Sequence, residues 1–140
     1  MMRRDVENRS PRGVFLLPLR ETLIQEHPMD MNFEHLASGT LLVGLRGRLD
    51  VTGAMEIDLR FTAAVSASRA VIVDMSEVDF LASMGLRTLI LGAKSIMSKK
   101  GRMVLLSPNE NVESVLIASG TDTLIPITHD RADAELRVTA

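Results

Sequence analysis

The chain has 140 residues, with 16 Lys+Arg against 18 Asp+Glu, a formal net charge of -2 and no cysteine. That length fits one domain whose core stands without staples, and the lack of cysteine excludes disulfides, thiolate metal sites and cysteine nucleophiles. The near-balanced charge shows no basic stripe, so direct nucleic-acid binding is not expected, and no uninterrupted apolar stretch approaches a membrane span, so neither is direct membrane insertion.

Arg3 and Arg4 lack a signal-type apolar run directly behind them, which makes cytoplasmic residence the expectation. His27, His35 and His129 are too scattered to match a metal motif, and no cofactor is expected. Four Phe and no Tyr or Trp argue against base-stacking or sugar-binding platforms.

In chain order, residues 1–30 read as an N-terminal extension, partly flexible, ahead of a domain over residues 31–140. MMRRDVENRSPRG is polar and breaker-rich. VFLLPLRETLIQEHP then carries apolar weight, with Leu19, Leu23 and Ile24 able to line one side of a short helix. The apolar run from Phe15 to Leu19 is expected to pack on the sheet edge or helices, or across a homodimer.

From Met31, MNFEHLA predicts a strand, Gly39 a hairpin turn, and TLLVGLRGRLD an antiparallel partner strand. Asp50 or Thr52 caps a helix running to about Ala67, with Met55, Leu59 and Ala63 on its apolar stripe and Ile57, Phe61, Ala64 and Val65 broadening it. Ala70 to Val73 is a short apolar run of the kind found in an interior parallel strand, ending at Asp74. SEVDFLASMG reads as a structured loop with Val78, Phe80 and Leu81 turned inward.

Leu86, Leu89, Ile90, Ala93, Ile96 and Met97 predict a helix from about Ser83 to Ser98, stopped by KKG with Gly101 beyond. RMVLLSPN is a further strand. NENVESVLIASG is a short helix capped by Asn109 or Asn111. TLIPI is an edge strand limited by Pro126, and THDRADAELRV is a terminal helix capped by Asp130. The order β-β-α-β-α-β-α-β-α describes one α/β domain: a mixed, mainly parallel sheet with an antiparallel N-terminal pair and about four helices.

Two stretches carry a resemblance. VGLRGRLD, Val43 to Asp50, is similar to the apolar strand and G-x-L-D of the STAS family. VIVDMSEVDFLASMGLRTLI, Val71 to Ile90, resembles that family's strand, D-x-S-x-V loop and D-S-x-G-L helix start. The likeness spans roughly Asn32 to Arg137. STAS domains occur in bacterial anti-sigma factor antagonists and in sulfate transporters. In phosphoregulated members the motif serine is phosphorylated by an anti-sigma factor with a serine-kinase-like ATPase fold. The unmodified form binds that partner, phosphate ends the binding, and a phosphatase restores it.

The resemblance therefore implies a non-enzymatic regulator with Ser83 as phosphoacceptor. It also implies a partner surface including Asp50, Ser76, Asp79, Ala82, Met84, Gly85 and Arg87. Ala82 stands where the family has aspartate. A second implied role is a STAS subunit of a lipid-transport or stress-signalling assembly, with Ser83 structural, and Ala82 favours it mildly.

Physically, the Ser83 hydroxyl serves as an N-cap, or carries a phosphate that a helix N-terminus accommodates and a partner surface does not. Gly85 permits close approach, either of a partner or of the helix to the sheet, and Met84 is either a partner contact or a core residue. Asp74 and Asp50 are read first as loop and helix caps. The sharper alternative gathers Asp50, Asp74 and Asp79 at one sheet edge to hold Mg²⁺. A receiver of that type wants an acidic pair after the first strand and a late lysine, and neither is evident. A hydrolase is disfavoured because Ser83 lacks a G-x-S-x-G elbow and His129 lacks an orienting acid. No P-loop or G-x-G-x-x-G occurs, and the Gly47 and Gly92 segments are not phosphate loops.

Overall fold

The computed structural model describes residues 29–139. Residues 1–28, most of the expected extension, with its short helix and the Phe15–Leu19 packing, lie outside the described residues, while Met29 and Asp30 belong to the first strand. The elements follow the order β1 (Met29–His35), β2 (Leu41–Leu49), α1 (Val51–Ser66), β3 (Ala70–Leu81), α2 (Ser83–Met97), β4 (Arg102–Leu106) and α3 (Glu110–Ala118). A 3-10 turn (Thr121–Thr123), β5 (Ile127–Thr128) and α4 (Arg131–Thr139) complete it.

Five strands lie side by side in chain order, β1 antiparallel to β2 and the others parallel. Strands added in sequence order by right-handed crossovers place their connecting helices on one face. Accordingly, the larger core cluster joins Ile57, Phe61 and Val65 of α1, Leu89, Ala93 and Ile96 of α2, and Val112 and Leu116 of α3 to the strands. Among the described residues only α4, which follows the last strand, covers the other face, where Ala134 and Val138 pack on Leu42, Ile72, Val104 and Leu106.

β1 and β2 join through Gly39 at φ 85, a left-handed position that glycine adopts without penalty. β3 runs longer than the apolar run Ala70–Val73 suggests. It continues through Ser76 to Leu81, so the segment expected to be a loop is strand. Two register shifts against β2, at Gly44/Arg46 and Gly47/Arg48, absorb the extra residues of β3. Val78 and Leu81 are buried, but Phe80 is 41% exposed and does not turn inward. TLIPI is also only partly strand: Thr121–Thr123 coils, and pairing begins after Pro126, whose carbonyl accepts the Leu105 amide at 2.9 Å.

The stripe expected on α1 is rotated. Ile57, Phe61 and Val65 are fully buried, whereas Met55 is 71% and Leu59 84% exposed. Two interleaved apolar series at helical spacing compete for the sheet, and the one carrying Phe61 and Ile57 takes it. At the far end of α2, Lys99 does not serve its own helix. Its Nζ reaches the Val65 and Ser66 carbonyls that end α1.

Replacing Phe61 by Ala should cost about 3–5 kcal/mol in urea unfolding, and Leu59→Ala should stay within about 0.5 kcal/mol. A large loss from Leu59→Ala would mean that the other stripe faces the core.

Candidate functional site

Both α1 and α2 start where β2 and β3 end. Leu49 and Leu81 close the β2–β3 register, and the Ala82 amide donates to the Leu49 carbonyl at 3.1 Å. Each helix has a glycine in its first turn for the same reason. A Cβ on Gly53 would stand 2.0 Å from the Arg48 carbonyl oxygen, and one on Gly85 would stand 2.5 Å from that of Leu49. The two helices are thus seated directly on the end of β2. Gly85 is buried, so internal packing accounts for it and it presents no side chain to a partner.

The two helix starts are capped differently. Asp50 is the N-cap of α1, its Oδ1 accepting from the Gly53 amide at 2.9 Å. That bond holds its carboxyl below the ordinary value of 3.8, with partial desolvation opposing and Arg48, 3.4 Å away, assisting. At α2 the N-cap is Ala82, which has no side-chain oxygen to give, and no acidic residue occupies the first turn.

Ser83 is therefore the first helical residue rather than the cap. It is exposed, and among the described residues its hydroxyl makes no hydrogen bond. The orphan amides of the α2 N-terminus and its partial positive charge have no side-chain acceptor among the described residues beside that hydroxyl.

Around Ser83, Met84 is 38% exposed and Arg87 is exposed. Met84 leads into a groove of about 390 Å³ between α1 and α2, lined also by Met55, Leu59 and Leu91, with Asp58 and Arg87 as its charged lining. Leu91 is 53% exposed, so the groove is bounded by exposed apolar groups. Sequence reasoning placed Leu59 on the apolar stripe, because apolar helical spacing reads as core until the competing face is seen, and did not single out Leu91. Arg48 and Phe80 were missed as well: the guanidinium lies 4.3 Å from the ring centroid, which keeps the exposed ring partly shielded.

The remaining expected site residues lie along β3. Ser76 is exposed and its amide donates to Asp74 Oδ1 at 3.0 Å, so Asp74 caps its own turn of strand. Asp79 is exposed at the second register shift. Asp50, Asp74 and Asp79 do not converge, and among the described residues no group of three His, Cys, Asp or Glu could hold a metal ion. Nor is any described helix long and apolar enough to cross a membrane.

A five-strand mixed sheet, helices seated on the β2 and β3 ends, and an exposed serine opening α2 define one class of single-sheet α/β domain. The STAS domain family model matches residues 35–134, and the chain belongs to that family. It is 29% identical over 97 residues, 69% of this chain and 84% of its relative, to BtrV of Bordetella bronchiseptica, which is named as a candidate anti-sigma factor antagonist.

In fold it is similar to an anti-sigma factor antagonist from Mycobacterium paratuberculosis, with TM-score 0.74, 22% identity and coverage of 82% of this chain and 97% of that one. It is also similar to unphosphorylated SpoIIAA, with TM-score 0.64, 22% identity and coverage of 77% and 96%. The phosphorylated form of the Bacillus cell fate determinant SpoIIAA gives TM-score 0.60, 21% identity and coverage of 77% and 98%.

Asp50→Ala should cost about 1 kcal/mol at pH 7 by removing the cap, while Asp50→Asn, itself a good cap, should cost less. Because folding lowers this carboxyl's pKa, its contribution is complete above the unfolded value of about 4 and falls as pH drops through the folded one. Urea unfolding of the parent at pH 7 and pH 3 should therefore show a loss that Asp50→Asn lacks in part. Parallel pH profiles for the two would sink this account.

Proposed function

We propose that the chain is an anti-sigma factor antagonist of the cytoplasm. It binds an anti-sigma factor with a serine-kinase-like ATPase fold through the surface around Ser83, and phosphate on Ser83 ends that binding. The observation that carries this reading is the exposed, unpartnered Ser83 hydroxyl at the first turn of α2, one residue before the apolar groove. BtrV and the structural relatives named as antagonists support the class of partner.

The physical logic separates folding from binding. A phosphate at Ser83 adds close to two negative charges at an uncapped helix N-terminus, where dipole and free amides favour it, so the domain stays folded. At an interface the same phosphate must shed water beside Met84 and the groove. Each 1.4 kcal/mol of that cost weakens binding about tenfold. The exposed face of Met55, Leu59, Met84 and Leu91 supplies the apolar area that a partner covers, and Arg87 and Asp58 supply its polar margin. The proposed partner surface also takes in Asp50, Ser76, Asp79, Ala82 and Gly85. A phosphatase returns the chain to its binding form.

Ala82 favours a second reading, in which the same surface meets an ATPase or another STAS chain of a lipid-transport or stress-signalling assembly and Ser83 is never modified. An aspartate at that position would cap α2, which alanine cannot do.

Partner capture with the parent, Ser83→Ala and Ser83→Asp separates the two. The parent and Ser83→Ala should retain an ATPase-fold anti-sigma factor, and Ser83→Asp should lose roughly a hundredfold in affinity, about 2.7 kcal/mol. ATP and that partner should place phosphate on Ser83 by mass spectrometry. Affinity indifferent to charge at Ser83 would refute the switch and leave the assembly reading. A charge in the groove gives a further check. Leu59→Lys should weaken capture at least tenfold with an unchanged melting temperature, since Leu59 is 84% exposed and contributes little to the core.

A further inference from the structure

At the end of the sheet opposite Ser83, where β4 begins and α2 stops, lies a cavity of about 600 Å³. That volume is within the range of small-molecule sites, about 300–1,000 Å³. Met97, Met103, Leu124 and Pro126 form its apolar wall, and Lys100, Arg102 and Arg137 bring three cations to it. Arg137 is held by Asp133 at 2.8 Å. Among the described residues Lys100 and Arg102 have no side-chain partner.

Two backbone features strengthen the case. Lys100 sits at φ 64, in the left-handed region, and its amide bonds Met97 while the Gly101 amide bonds Ile96, the arrangement that ends a helix on a left-handed residue. Glycine is the residue that fits such a position without strain, yet here it comes one residue later. Gly101 is needed where it stands: a Cβ there would lie 2.2 Å from the Arg69 carbonyl oxygen. A lysine therefore occupies a strained position at the rim of a cavity, and strain of this kind collects at functional sites.

The second feature is the edge of β4. The Arg102 amide bonds Arg69 on the β3 side, and the Leu105 amide bonds Pro126 on the β5 side. Alternation along the strand aims the Met103 amide and carbonyl the same way as those of Leu105. There β5, only Ile127–Thr128, does not reach. Met103 is 3% exposed and lines the cavity, and among the described residues no strand bonds its amide on this side.

We infer that this cavity binds a small amphiphile: one anionic head, of the carboxylate or alkyl-phosphate kind, on an apolar chain. The head is met by Lys100, Arg102 and the Met103 amide, and the chain lies against Met97, Leu124 and Pro126. This does not rest on the Ser83 reading, since no residue is shared between the two places.

The test is amide NMR of the full chain titrated with decanoate and decyl phosphate below their aggregation concentrations, beside decanol and inorganic phosphate. Either anion-headed chain should give saturable shifts confined to the neighbourhood of Met97, Gly101, Met103 and Leu124, and the tighter of the two identifies the head. Lys100→Gly and Arg102→Gln should each weaken binding at least tenfold. Lys100→Gly should also leave the melting temperature unchanged or higher, because it removes the left-handed strain. An equal response to decanol would refute the anionic half, an equal response to inorganic phosphate the apolar half. Scattered or non-saturating shifts, or undiminished binding by Lys100→Gly, would overturn the site.

Discussion

The carbonyl oxygen of Leu49 takes the Ala82 amide and has the first turn of α2 packed against it at Gly85. Through that one group, the end of β2 fixes where β3 stops and where α2 starts. Gly53 does the same for α1 against the Arg48 carbonyl one residue earlier. A side chain at either glycine would drive a helix off the sheet, and the groove between the two helices would lose its geometry. The position of Ser83 thus depends on backbone contacts and not on its own side chain.

This arrangement lets the surface change charge without risk to the core. The residues filling the interior, such as Phe61, Ile57 and Leu89, lie on the inner faces of α1 and α2. Those bordering the groove, Met55, Leu59 and Leu91, lie on the outer faces and are exposed. An uncapped α2 N-terminus tolerates negative charge, so a charge placed there costs the fold little.

The opposite end of the sheet is built by other means. Lys99 closes α1, Gly101 packs on the Arg69 backbone, and Lys100 between them is held in a left-handed conformation. Among the described residues, the short β5 pairs only with Leu105 and Leu106 and leaves the first residues of β4 without an outer strand. The two ends of one sheet therefore offer different chemistry: an apolar groove beside a serine, and a cationic cavity beside an open strand edge.

Element order, the single α/β domain, the caps at Asp50, Asn109 and Asp130, and the helix start near Ser83 were legible in the residues, because apolar periodicity and cap chemistry are local. The rest was not. Which apolar stripe of α1 faces the sheet depends on what the sheet presents, and Phe61 took the place that Met55 and Leu59 matched equally well on spacing. β3 runs on to Leu81 because β2 continues beside it across two register shifts, and pairing of that kind has no signature in one strand alone. Gly85 and Gly101 are glycines because a distant carbonyl lies within 2.5 Å of where a Cβ would be. Local rules name the elements. Only the meeting of separate segments decides which side of each element faces out, and here the outward sides carry the candidate sites.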